Sequence, residues 1–170
     1  MSSGVTRVLG VDTSLRCSGI AVVEGAGQRL REVEHGCVRN PASLALSECL
    51  RRLHGGILEI IARCRPEAMA IEGIFFCKNV RTAVTLGEAR GVVIAAAAGA
   101  GLPVFEYAPR RVKQAVVGHG AAEKDQVRRM VMALLALAEE PQEDAGDALA
   151  IAICHMNSRS AHAALAPKEI

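Results

Sequence analysis

The chain has 170 residues, of which 51% are hydrophobic, 22% charged and 2% aromatic, and its formal net charge is +2 at pH 7. This length fits one domain with a substantial core, and the composition is that of a globular rather than a disordered protein. A net charge this small does not by itself indicate nucleic-acid binding, so the placement of the charged residues has to carry that question.

The six cysteines are spread along the chain without a C-x-x-C pair, which argues against a zinc ribbon and against a thioredoxin-type motif. Buried, reduced thiols are the simplest interpretation. Residues 1–7 lack the pattern of a secretory signal, and the longest apolar stretch, 92–104, is too short to span a bilayer. We therefore expect a cytoplasmic protein with no membrane-spanning segment.

The first forty residues predict an antiparallel meander. Apolar runs at 7–11 and 18–23 are separated by a turn, and a third strand is predicted at 30–38. Three consecutive strands with short connections pair in antiparallel fashion. Asp12 follows directly after the first of them.

The remainder of the chain alternates helices with strands. A helical period runs from 44 to 61, with Ser43 near its amino end, and a helix at 80–100 separates short strands at 68–72 and 104–107. Helices follow at 109–117, at 123–137 and from near 143 to about 157. We predict an α/β fold with a mixed five-stranded sheet, in which three antiparallel strands precede strands joined by helix crossovers, flanked by helices. The domain would span 1–157 and a mobile tail 158–170.

Four carboxylates occupy positions that chain packing does not explain. Asp12 and Glu72 end apolar strands, whereas Asp144 and Asp147 lie three residues apart on one face at the start of the last helix. If that helix end docks beside the two strand ends, four like charges converge and need cations. Hard oxygen ligands suit Mg²⁺ or Mn²⁺ rather than zinc, and two such ions can hydrolyse a phosphodiester. The pattern indicates a nuclease or a strand-transfer enzyme.

Each acid also has a purely structural interpretation. Asp144 and Asp147 could match the dipole at the start of a helix, Asp12 could cap a turn, and Glu72 could be a solvent-facing charge at a strand end. The spacing of these residues alone does not decide between the two interpretations.

Several segments, in order over nearly the whole chain, resemble the RuvC family of Holliday-junction resolvases. They read LGVD at 9–12, AIE at 70–72, FFCKN at 75–79, LGEARG at 86–91, PVFEY at 103–107, VKQ at 112–114, VGHG at 117–120, EK at 123–124 and DAGDALAI at 144–151. The resemblance implies a ribonuclease H-like fold. It also implies a homodimer that binds a four-way DNA junction and nicks two strands symmetrically in recombination and repair, together with the RuvA and RuvB proteins.

The same resemblance implies roles for individual residues. The four acids Asp12, Glu72, Asp144 and Asp147 match the metal-binding acids of the family, for two Mg²⁺ ions that Mn²⁺ can replace. Lys113 and Lys124 match lysines near the scissile phosphate, so Lys124 joins the catalytic set and both lysines contact DNA. Phe75 matches an aromatic that can stack on an unpaired base. The plain alternatives are solvated lysines and a core phenylalanine.

One segment departs from the family. After Asp12 the family usually has Pro-Gly, whereas this chain has Thr13-Ser14, so we expect turn hydrogen bonds from these hydroxyls and an intact metal site. Asp-Thr-Ser also resembles the phosphate loop of actin-like ATPases, which leaves a nucleotide-binding or scaffolding protein as the alternative. Such an ATPase needs two domains of this kind and does not explain the Asp144 and Asp147 pair.

Overall fold

The sheet at the centre of the molecule has the strand order β3-β2-β1-β4-β5. The structure is a computed structural model that describes residues 5–26, 29–74, 79–159 and 168–170. Its elements are β1 (Thr6–Asp12), β2 (Cys17–Ala26), β3 (Arg29–Arg39), α1 (Leu46–Cys64), β4 (Ala68–Glu72), α2 (Val80–Gly99), β5 (Val104–Tyr107), α3 (Pro109–Val117), α4 (Lys124–Leu135) and α5 (Glu143–Ser158).

The strand directions confirm the predicted mixed sheet. β1 pairs antiparallel with β2, and β2 pairs antiparallel with β3, with a bulge between Val22 and Val23. β4 pairs parallel with both β1 and β5, because α1 and α2 carry the chain back between those strands. Three antiparallel strands are therefore followed by two strands reached through helical crossovers.

Alternate residues of the central strands enter two separate cores. Leu9, Val11 and Ile71 are fully buried in the core that α1 and α2 complete. Val8 and Ala70 face the opposite way, into the core that α3, α4 and α5 complete. The period of two along each strand therefore produces a three-layer α/β/α arrangement, and it fixes which helix each strand residue faces.

Helix α5 packs onto the sheet through direct contact with the backbone. A Cβ atom added to Gly19 would overlap the carbonyl oxygen of Asp144, and one added to Gly10 would overlap that of Ala148. Asp144 and Ala148 are four residues apart, so two successive turns of α5 contact glycines on β2 and β1. Any side chain at these glycines would force the helix outward.

The first three strands extend one to three residues beyond their predicted ends, and the ends of α1 and α4 also differ from the sequence-based prediction. Ser43 does not cap α1, which begins at Leu46 after Ala45 and has no side-chain cap. Helix α4 ends at Leu135, two residues earlier than predicted, because Ala136 takes the left-handed conformation with φ of 51°. The start of α2 is capped by Asn79, whose side-chain oxygen accepts from the amides of Arg81 and Thr82.

The last three residues, 168–170, lie beside β5. Ile170 N donates to Val104 O at 3.0 Å, and Phe105 forms an antiparallel bridge with Glu169. Residues 160–167 lie outside the described residues, so the mobile tail stays a prediction. None of the helices in the described parts of the chain has the length and apolar character needed to cross a membrane.

Candidate metal centre

The register of the parallel strands places two acids side by side at one edge of the sheet. Val11 pairs with Ile71, so the next residues, Asp12 and Glu72, end β1 and β4 at the same level. Both share the strand face of Val8, which is the face covered by α5. Two strand-end carboxylates therefore meet on the α5 side of the sheet.

The first turns of α5 supply the other two acids. The backbone of Asp144 lies over Gly19, and Gly19 pairs directly with Asp12 in the β1–β2 ladder. Asp147 follows on the same face of the helix, one turn further along. The close contact between Gly19 and α5 therefore brings the second pair of acids towards the first pair.

The pKa values show that these four acids interact. Burial, followed by the charges of Asp147, Glu72 and Asp144, raises the pKa of Asp12 from 3.8 to about 7. Burial, followed by the charge of Asp147, raises the pKa of Glu72. Burial also raises the pKa of Asp147, although Lys124 acts in the opposite direction. Half-buried carboxylates whose ionisation is disfavoured by one another fit a cation site, because a cation removes that penalty.

The loop after Asp12 is closed by serine hydroxyls. Ser14 Oγ donates to Cys17 O at 2.7 Å and accepts from Cys17 N, and Ser18 Oγ accepts from Ser14 N at 3.0 Å. The expectation of turn hydrogen bonds is confirmed for Ser14. It is wrong for Thr13, whose Oγ1 is buried without a hydrogen-bond partner among the described residues. Thr13 itself lines a cleft with Asp12 and Glu72.

The two lysines at the site differ in their exposure and in their hydrogen-bond partners. Lys124 Nζ donates to Glu143 Oε1 at 2.8 Å and lies 3.8 Å from Asp147 Oδ2, with 71% of its side chain exposed. Lys113 is half-buried, and its Nζ donates to Ala122 O at 2.8 Å. The charge of Lys113 lowers the pKa values of Glu72 and Asp147, so it also lies within the site.

Sequence reasoning assigned no role to two residues that support this centre. Arg90 is 9% exposed, and its guanidinium donates to the backbone oxygen of Glu72 at 2.6 Å and to the carboxylate of Glu106. The available signal was an arginine at the start of the apolar second half of α2. Glu143 forms an ion pair with Lys124, and no pattern in the sequence indicates this pair. Phe75, the predicted stacking residue, lies outside the described residues.

The donor set decides which metals the centre can hold. All four acids, Asp12, Glu72, Asp144 and Asp147, offer carboxylate oxygens as ligands. Mg²⁺ and Mn²⁺ prefer such oxygen ligands and keep some positions for water or phosphate oxygens. The chemistry of the four acids therefore suits hard divalent cations. Among the described residues no three of the four have carboxylate oxygens that all lie within 4.8 Å of one another, so a bound cation would draw them closer together.

Comparison with known proteins connects this geometry to one family. The family model described as crossover junction endodeoxyribonuclease RuvC matches residues 8–155. The protein of that name from Pelotomaculum thermopropionicum is 53% identical over 149 residues, covering 87% of this chain and 91% of the relative. The one from Idiomarina loihiensis is 48% identical over 155 residues, covering 89% of this chain and 87% of its own.

Solved structures agree with the sequence comparisons. Thermus thermophilus RuvC in complex with a Holliday junction substrate superposes with a TM-score of 0.91 at 35% identity, covering 97% of this chain and 99% of that chain. A second Thermus thermophilus RuvC structure gives a TM-score of 0.87 at 37% identity. The yeast mitochondrial Holliday junction resolvase is 11% identical with a TM-score of 0.66, which shows a shared fold.

Proposed function

The chain belongs to the RuvC family of crossover junction endodeoxyribonucleases, and from that membership we propose that it resolves four-way DNA junctions by hydrolysing two phosphodiester bonds symmetrically. It has the ribonuclease H-like fold of the family. One observation carries the proposal: within the family-matched region, the acids of β1, β4 and α5 converge closely enough to raise one another's pKa values. Homologous recombination and DNA repair are the processes that such an enzyme serves.

The metal-dependent step would use two Mg²⁺ ions, which Mn²⁺ can replace, held by Asp12, Glu72, Asp144 and Asp147. Such ions, when bound, activate the attacking water and stabilise the leaving oxygen of the phosphodiester. The chain itself supplies the preorganised carboxylates. Arg90 fixes the strand end that carries Glu72, and the contact of Gly19 with α5 fixes Asp144.

The lysines contribute positive charge for the DNA backbone. In the absence of DNA, the ammonium of Lys124 pairs with Glu143, and the high exposure of both side chains makes that pair easy to exchange for a phosphate. Lys113 Nζ donates a hydrogen bond to Ala122 O, and this bond would keep its charge beside Glu72 whether or not DNA is bound. Phe75 would stack on an unpaired base at the junction.

Symmetric nicking requires two active sites related by a two-fold axis, so the working form would be a homodimer. Helix α2 offers an apolar surface for that contact. Val80 is 79% exposed and Val84 is 55% exposed, and the two are one helical turn apart, with Ile74 nearby in sequence at 40%. RuvA and RuvB are the partners expected in the bacterial cytoplasm.

Family membership argues against the alternative of an actin-like nucleotide-binding or scaffolding protein. That alternative was drawn from the Asp-Thr-Ser segment alone. In this chain the segment lies next to Glu72 and the acids of α5, which a phosphate loop of that kind does not explain.

Cleavage of a labelled four-way junction tests the proposal. With Mg²⁺ the protein should nick two strands of the junction at symmetric positions, and linear duplex of the same sequence should stay intact. Glu72→Gln should abolish cutting, whereas Glu67→Gln, an exposed acid just before the opposite end of β4, should cut normally. Junction cutting by Glu72→Gln at the wild-type rate, or full activity in excess chelator, would refute the proposed site.

A further inference from the structure

Two cysteines lie beside Asp144, on the side away from the other three acids of the candidate metal centre. Cys17 begins β2 and Cys37 lies near the end of β3, and both are half-buried. Gly19 pairs with Cys37 and Cys17 pairs with Arg39, so the two cysteines are diagonal neighbours on the sheet face covered by the start of α5. The two sulfur atoms and a carboxylate oxygen of Asp144 all lie within 4.8 Å of one another.

We propose that Cys17, Cys37 and Asp144 form a binding site for a thiophilic divalent cation, with Zn²⁺ as the best fit, and that its occupation inhibits the nuclease. The inhibitory part rests on the proposed function, because it needs Asp144 to serve in DNA cleavage. The binding part stands on the geometry of the three side chains alone.

The donor set matches zinc in number and type. Zinc binds thiolate sulfur at about 2.3 Å and carboxylate oxygen at about 2.0 Å, which places tetrahedral ligand atoms about 3.5 to 3.8 Å apart. The three atoms of this cluster need only a small contraction to reach that spacing, and a water can take the fourth position. Each thiol releases its proton to solvent as the metal binds. Soft sulfur ligands disfavour Mg²⁺, so the two centres select different ions.

A metal bridge suits the two cysteines better than a disulfide does. Diagonal neighbours on antiparallel strands have Cα atoms roughly 7 to 8 Å apart. Disulfides usually need Cα separations of about 4.4 to 6.8 Å. A cation between the two sulfur atoms spans the wider gap without moving β2 against β3.

The carboxylate of Asp144 is shared between the two centres. On one side one of its oxygens lies within 4.8 Å of the two sulfur atoms, and on the other its charge acts on Asp12. A cation held by the thiolates draws this carboxylate toward β3 and away from the catalytic cluster. It also places positive charge beside the acids, which weakens their attraction for Mg²⁺. Since coupling between sites is reciprocal, Mg²⁺ at the acids weakens zinc binding to the same extent.

Binding can be measured without DNA, using Co²⁺ as the probe. Thiolate-bound Co²⁺ in a tetrahedral site gives a sulfur-to-metal charge-transfer absorption, so one equivalent should develop that band in the wild-type protein. Cys17→Ser/Cys37→Ser should lose it. Cys64→Ser should keep the absorption band. Cys64 also lies next to a carboxylate, that of Glu34 at 3.3 Å, but no third metal-ligating side chain joins this pair among the described residues. A wild-type protein without the band, or a double variant that retains it, would overturn the site.

Inhibition is tested by titrating Zn²⁺ into junction cleavage at fixed Mg²⁺, with each variant compared with its own zinc-free rate. The double variant should need at least about tenfold more zinc than the wild type for half inhibition. Equal sensitivity would mean that zinc acts elsewhere, and the inhibitory proposal would be wrong. Should the double variant not fold, Cys37→Ala on the edge strand β3 removes one ligand and should show the same direction of change. Absent cleavage in zinc-free Mg²⁺ would instead refute the proposed function, and the cobalt measurement would still decide the metal site.

Discussion

Substitution of Asp12 by asparagine should stabilise the metal-free protein at alkaline pH. The pKa of Asp12 is raised from 3.8 to about 7 in the folded state by burial and by the neighbouring acids. Between those values the unfolded chain releases this proton while the folded protein keeps it. Folding stability therefore falls as pH rises through that window, and the loss is complete above about pH 7. The neutral amide of the Asp12→Asn variant would carry no such penalty.

The magnitude follows from the displaced pKa. A tenfold change in proton affinity corresponds to about 1.4 kcal/mol, so the full difference for Asp12 would be about 4 kcal/mol. The carboxylate is half-buried and its neighbours can share protons, so solvent screening reduces this figure to about 1 to 2 kcal/mol. In a protein of this size, that stability gain raises the melting temperature by about 2 to 8 °C.

Thermal melting in excess chelator, from about pH 4 to about pH 8, measures the effect. Wild type should lose stability relative to Asp12→Asn as pH rises, with the two curves meeting at acidic pH. Glu67→Gln, an exposed acid outside the cluster, should run parallel to wild type throughout. Added Mg²⁺ should raise the melting temperature of wild type more than that of Asp12→Asn. A variant that is less stable than wild type at alkaline pH would show that Asp12 is held by favourable contacts, and the electrostatic argument would fail.

Asp147→Asn removes a hard anionic ligand while keeping the side-chain shape, so cleavage should fall at least about 100-fold while junction binding survives or tightens. A small loss of melting temperature with normal cutting would instead assign Asp147 to the helix dipole. Gly19→Ala should displace the start of α5, costing about 1 to 3 kcal/mol of stability and reducing cleavage. Gly55→Ala on α1, where an added Cβ meets nothing within 4 Å, is the matched control and should cut at the wild-type rate. Phe75→Ala should lose about 1 to 3 kcal/mol of junction binding with little change in melting temperature, and normal cutting with earlier unfolding would place Phe75 in the core. Junction affinity measured across a salt series should decrease steeply, and a flat response would argue against contacts to the DNA backbone.

The acids could be found from the sequence because local position reveals them. Asp12 and Glu72 each end an apolar strand, and Asp144 and Asp147 share one helix face. The convergence of the two pairs depends on where α5 docks, and that is decided by Gly10 and Gly19. No local pattern marks a strand glycine as the contact point for a helix more than a hundred residues away.

Other contributors depend on tertiary contacts in the same way. Arg90 reaches the backbone oxygen of Glu72 only because α2 packs against the sheet beside β4. Cys17 and Cys37 are twenty residues apart in sequence, and only the pairing of β2 with β3 brings their sulfur atoms together. Spacing along the chain favours plain buried thiols at these positions, because it carries no information about the strand register.

The final residues beside β5 affect how the molecules behave in concentrated solution. β3, at one edge of the sheet, carries several charged side chains, such as Arg31 and Glu34, which discourage pairing with another strand. β5, at the other edge, is instead covered where Ile170 donates to Val104 O and Glu169 bridges Phe105. Removing 168–170 would uncover backbone donors and acceptors on this short strand. Such a truncated protein would self-associate as its concentration rises, through this sheet edge rather than through the catalytic acids.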